Sequence, residues 1–153
     1  MFSEDNPPPV ASDTPLVAFT AVSETEHSYT FGSVMLFPVV LLNIGDAFNA
    51  STSLFICPYD GVYEFHFHVD SQTNERCLGE LIHNGNVQLS ARGHSDGSAT
   101  AQASNTVYVE CNKLDQVWVK GEGECYSNTF RYTSFSGSYI GPRNVKSKID
   151  DKN

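Results

Sequence analysis

A chain of 153 residues with 18 acidic against 9 basic side chains carries a formal net charge of −9. That balance excludes nucleic acid as a partner and loose adhesion to anionic membranes, because both require a basic patch. The longest apolar run, Val34 to Leu42, is broken by Pro38 and falls short of the roughly 18 residues of a membrane span, so no membrane insertion is expected.

One domain is the default for this length, and such a chain buries roughly 68–70% of its unfolded surface. Residues 1–14 are polar, acidic and proline-rich, a flexible N-terminal tail. They hold neither a basic nor an apolar leader segment and are not a signal peptide. The chain is then either cytosolic or the mature form of a secreted protein whose leader has been removed; the even number of cysteines and the Asn49-Ala50-Ser51 glycosylation triplet agree with secretion.

Strand patterns follow near 16–22, 36–43, 53–57, 62–70, 77–83, 87–91, 100–110, 116–121 and 132–140, with turn signals at Asp60-Gly61 and Asn84-Gly85. The 62–70 segment is the clearest. Tyr63, Phe65, Phe67 and Val69 alternate with Glu64, His66, His68 and Asp70, so one face enters a core and the other meets water. Val117, Trp118 and Val119 mark a second core strand. No window sustains a helical period, and residues 142–153 form a flexible charged C-terminal tail. Around nine strands without a helix predict an all-β, two-sheet sandwich or a barrel.

Three groups of residues invite chemistry. His66 and His68, at i and i+2, present imidazoles on one face as a metal pair would, yet polar residues opposite an apolar face are the ordinary solvated side of a strand, and that is the reading taken. Gly93-His94-Ser95-Asp96-Gly97 matches a nucleophile elbow, but that motif needs a helix after the serine and strand follows here. A turn is expected, and no catalytic residue is assigned. The loops at 71–76, 92–98 and 122–131 hold most of the polarity outside strands. In the last, Tyr126 can stack on a sugar, while Glu122, Glu124, Asn128 and Arg131 can bond hydroxyls. The two acids can also take calcium through oxygen, an optional cofactor in this reading.

Five pieces in register, Ala18-Phe19-Thr20-Ala21, Asn43-Ile44-Gly45-Asp46-Ala47-Phe48-Asn49, Leu54 through Phe65, Asp115-Gln116-Val117-Trp118-Val119 and Thr133-Ser134-Phe135-Ser136-Gly137, resemble the globular head domain of complement C1q. The likeness covers residues 15–141. It implies a jelly-roll sandwich of about ten strands, a homotrimer, and a binding rather than catalytic role. Ser53 and Leu114 depart from it, standing where the family has glycine. Stand-alone heads of this type resemble secreted pattern-recognition lectins of innate immunity that bind microbial or glycoconjugate carbohydrate multivalently. Relatives that act as cytokine-like ligands or as scaffold and matrix trimers are the alternative. On the implied topology the expected disulfides are Cys77–Cys111 and Cys57–Cys125, with Cys57 also readable as a buried thiol.

Overall fold

The computed structural model describes residues 14–143; the tails expected at 1–14 and 142–153 lie outside the described residues except for Thr14 and residues 142–143. Eleven strands follow in order: β1 (Ala18–Ser23), β2 (His27–Val34), β3 (Val39–Ile44), β4 (Phe48–Asn49), β5 (Leu54–Ile56), β6 (Gly61–Ser71), β7 (Arg76–His83), β8 (Asn86–His94), β9 (Ala101–Cys111), β10 (Gln116–Cys125) and β11 (Thr133–Gly141). All pairings are antiparallel. One layer runs β3-β1-β11-β6-β9. The other runs β8-β7-β10, with β2 and β5 both on the far edge of β10 and β4 beyond β5. The layers join at one bridge, Ser71 to Cys125.

Alternation in β6 sorts its side chains as the sequence predicts. Tyr63, Phe65, Phe67 and Val69 are fully buried. They meet Phe19, Phe37, Phe55 and Phe135, with Phe19 stacked on Phe48 at 4.8 Å and edge-on to Phe135 at 4.9 Å. Such aromatic pairs add about 0.5–1.5 kcal/mol each beyond area burial. The Tyr63 hydroxyl is satisfied within the core, donating to the Tyr59 carbonyl at 2.7 Å. Gly137 has to be glycine, since an added Cβ would stand 2.6 Å from the Phe65 ring and 2.9 Å from that of Phe19.

Three expectations need correction. Trp118 is not a core residue: Val117 and Val119 point inward, and Trp118, half-buried, lies on the outer face across from Ile82. β2 has no counterpart among the predicted strands, because its sequence is largely polar and its ladder to β10 shifts register between Gly121 and Gly123. The segment expected to start at 36 enters β3 only at Val39; Phe37 gives its amide to the Ser53 hydroxyl at 2.8 Å instead of to a ladder.

The cysteine pairing differs as well. Cys77 bonds Cys125, while Cys57 and Cys111 are free and buried. Cys111 pairs with Gly61 at the first residue of β6, whereas Cys125 pairs with Ser71 at its last. The eleven residues between span about 35 Å, so Cys77 cannot reach Cys111. Cys57 sits beside Asp115 where β10 begins, its amide donating to the Asp115 carbonyl at 2.9 Å, and Cys125 ends that strand, which forbids Cys57–Cys125 by the same argument.

Candidate binding site

The residues singled out between 122 and 131 divide into two groups. Glu122 and Glu124 belong to β10 itself. Glu122 is exposed opposite Leu78, and Glu124 accepts the Ser28 hydroxyl at 2.6 Å. Tyr126, Asn128 and Arg131 form the turn between β10 and β11. The Asn128 amide donates to the Tyr126 hydroxyl at 2.9 Å and its carbonyl oxygen accepts the Phe130 amide at 2.8 Å. Arg131 has a left-handed backbone, φ 64°, and its Nε donates to Glu24 at 2.9 Å. Thr133 fixes the exit by donating to the Tyr126 carbonyl at 2.9 Å.

That turn presents aromatics which strand periodicity does not flag. Tyr132 stacks on Tyr126 at 6.0 Å and lies 6.4 Å from Phe130, whose side chain is 79% exposed. Tyr132 also walls a recess of about 140 Å³ with His68, Gln102, Ala103 and Ser104. The arrangement is an aromatic platform beside a pocket of hydroxyl, amide and imidazole groups. The signal for it is the pair of large aromatics in Asn128-Thr129-Phe130-Arg131-Tyr132, a turn where a core strand is not forming.

The histidine face is occupied by local contacts. His66 Nε2 is 2.8 Å from Glu64 and its Nδ1 is 2.9 Å from the Thr106 hydroxyl; His68 borders the recess. Ser95 is buried, bonds the Ala99 carbonyl, and accepts the Asn74 amide at 3.3 Å; its amide donates to Glu75 at 2.9 Å. A polar turn, not a helix, follows it.

A second, larger hollow of about 630 Å³ opens at the opposite end of the sandwich, between Val40, Phe48, Ile56, Pro58 and Leu114. Asn49 stands exposed on its rim, its side-chain oxygen taken by the Ser51 amide at 2.8 Å. Beneath it lie the free cysteines. The Cys57 thiol is pushed far up the pH scale, first by its hydrogen bond with the Cys111 thiol and then by burial, so it is no nucleophile at neutral pH.

The sequence pattern of the C1q domain matches residues 18–140, and the chain belongs to the C1q domain family. Caprin-2 of Danio rerio is 30% identical over 124 residues, which are 79% of this chain and 14% of caprin-2. The chain therefore spans about one seventh of that relative's length. Among solved structures, the globular domain of zebrafish complement 1qA protein superposes with a TM-score of 0.69 at 21% identity, covering 82% of this chain and 98% of that one. Murine APRIL gives 0.64 at 11% identity, with 82% and 99% covered. Eiger TNF from S. frugiperda gives 0.65 at 8%, with 88% and 99% covered. The fold is the C1q/TNF-like jelly roll, an architecture of binding proteins that commonly assemble as homotrimers and in C1q-domain proteins are typically extracellular. Among the described residues no helix is long and apolar enough to cross a membrane.

Proposed function

We propose that this chain is a secreted recognition domain of innate immunity that binds microbial or glycoconjugate carbohydrate through the turn between β10 and β11, three copies at a time in a homotrimer. The observation that carries the reading is the exposed platform of Tyr126, Phe130 and Tyr132 next to the polar recess at His68, Gln102 and Ser104. A ring face stacks on a sugar's C–H surface while amide and hydroxyl groups take its hydroxyls, and a rigid sandwich holds the turn in place. One such site is shallow and weak; three on one particle raise avidity by roughly 10²–10⁴ against a repetitive ligand.

A glycan array run with and without chelator tests this. Binding that Tyr132→Ala and Phe130→Ala each reduce supports the reading, and no binding in either condition removes it. Calcium is the variable of the chelator arm. Glu122 and Glu124 would supply carboxylate oxygens to it, and retention lost with chelator would show that it takes part. The exposed Phe130 also suits a protein receptor, because aromatic anchors dominate such interfaces. Saturable binding to one cell-surface protein, with no retention on mannan or lipopolysaccharide resin, would favour that cytokine-like role.

A further inference from the structure

At the end of the sandwich opposite the disulfide, segments far apart in sequence bring soft and borderline donors together. His83 ends β7, Cys111 ends β9, and Asp115 closes the turn into β10. One ligand atom from each lies within 4.8 Å of the others, and among the described residues this is the one group of three or more His, Cys, Asp or Glu side chains so placed. Cys57, which follows β5, is a second free and buried cysteine at this end of the sandwich, close enough to interact with the Cys111 thiol, which itself donates to the Val109 carbonyl at 3.9 Å. We propose that His83, Cys111 and Asp115 form a structural zinc site that ties the ends of β7 and β9 to the start of β10, with the Cys57 thiol, which lies outside that group of atoms, swinging in from the end of β5 to take the fourth position.

Bond lengths of roughly 2.0–2.3 Å to zinc place tetrahedral ligand atoms about 3.3–3.8 Å apart, so the three clustered atoms, which lie within 4.8 Å of one another, draw in where they are widest as a cation enters. His83 Nε2 and Asp115 Oδ2, now 2.8 Å apart, separate by about 0.5–1 Å on binding. Asp115 is oriented independently, its Oδ2 accepting the Asn112 amide at 2.8 Å. Outer partners of this kind are what hold metal ligands in register. Two sulfurs, one imidazole and one carboxylate suit zinc and disfavour calcium or magnesium, which take oxygen.

Charge agrees with the assignment. On binding, each ligating thiol gives its proton to solvent, and two thiolates with one carboxylate leave a single net negative charge around a divalent ion. Arg143 braces the backbone beside the site, donating to the Cys111 carbonyl at 2.8 Å and to the Asn112 side chain at 2.6 Å while its Nε pairs with Glu110 at 3.2 Å. Access comes from the larger hollow, whose wall includes Cys57 and Leu114. The disulfide closes one end of β7 and β10 at Cys77 and Cys125; the zinc site would close the other.

Cobalt(II) titration of the full chain under anaerobic conditions tests the proposal. One equivalent is expected to give a thiolate-to-cobalt charge-transfer band and the visible bands of tetrahedral cobalt, both bleached by zinc. Cys111→Ser and His83→Gln should each abolish the bands, while Glu122→Gln should keep them. Where a variant fails to fold, the wild type still decides: zinc should protect two thiols per chain from alkylation, and chelator should expose them. Absence of the cobalt bands, their survival in Cys111→Ser, or a metal-free chain with no titratable thiols after denaturation, meaning that Cys57 and Cys111 have oxidised to a disulfide, would each overturn it.

Discussion

Leu114 holds φ at +75° in the turn into β10 with its side chain 69% exposed, and Ser53 holds +56° while fully buried. Both conformations suit glycine, and a left-handed backbone costs a residue with a Cβ about 1–2 kcal/mol. The consequences differ. Leu114→Gly loses little burial and relieves the backbone, so after the extra unfolded-state entropy of glycine a gain of about 0.5–1 kcal/mol is expected in urea unfolding. Ser53→Gly relieves the same strain but orphans the buried Phe37 amide, a penalty of about 1–3 kcal/mol, so it should be neutral to destabilising. Asp70 supplies a pH-dependent case. Its carboxylate is fully buried and neither oxygen makes a hydrogen bond of ordinary geometry. Burial raises its pKa, and the nearby Thr100 side chain and Ser71 backbone offset this only in part. A carboxyl whose folded pKa is raised contributes stability that is complete below its ordinary value, near 4, and lost as pH rises through the shifted one. Asp70→Asn is therefore expected to stabilise the protein by about 1 kcal/mol at neutral pH, with the difference shrinking as pH falls toward 4. A constant difference across denaturation curves from pH 4 to 8 would contradict that sign.

Among the elements, β10 carries the most. It ladders with β7 along one edge and with β5 and then β2 along the other, and it ends in Cys125. The Cys77–Cys125 bridge closes a loop of 48 residues, for which loop entropy gives about 4 kcal/mol. Replacing both cysteines by alanine should lower stability by roughly that amount, and a loss below about 1 kcal/mol would show that the unfolded chain gains little freedom. The same strand shows what could be read beforehand. Strict alternation exposed β6 because its inner face is entirely aromatic or branched. Val117 and Val119 were legible for that reason, but Trp118 looked like core because hydrophobicity does not say which side of a strand faces in. β2 hid behind its polarity. The Tyr126–Tyr132 platform was legible only at Tyr126 and Asn128, since Phe130 and Tyr132 obey no period. Cysteine pairing, and the meeting of His83 with Cys111 and Asp115, depend on which strand ends share an end of the sandwich, and side-chain pattern does not encode that.

At the scale of the whole molecule, copies of this chain, if it assembles as C1q-domain proteins commonly do, are expected to meet through the outer face of the β3-β1-β11-β6-β9 layer. Register sets its side chains in rows: Ile44, Ala18, Ser138, Glu64 and Tyr108, then Leu42, Thr20, Ser136, His66 and Thr106. The middle holds the small residues Ala18, Thr20, Ser136 and Ser138, with the Glu64–His66 pair beside them. The rims are apolar, with Leu42 and Ile44 on one side and Tyr108, 63% exposed, on the other. Two unlike rims flanking a centre of small side chains suit head-to-tail contact, which closes into a ring when the rotation is right. Ser136→Arg places a long charged side chain in the centre of that face, pointing away from the core, which the Phe135 ring and the Gly137 backbone line on either side of it. A buried unpaired charge at an interface costs several kcal/mol, so the expected result is a fall in light-scattering mass from three chains to one with an unchanged circular dichroism spectrum. The recess at His68 and Ser104 lies in the next row of this same face, so copies must meet short of that row for the site to stay open; glycan retention should then fall with the trimer by roughly 10²–10⁴, the avidity of three sites. A wild-type chain with the mass of a monomer, or a Ser136→Arg chain that stays trimeric, would show that copies do not meet through this face. In the second case, the sites at Tyr132 would be grouped by some other surface.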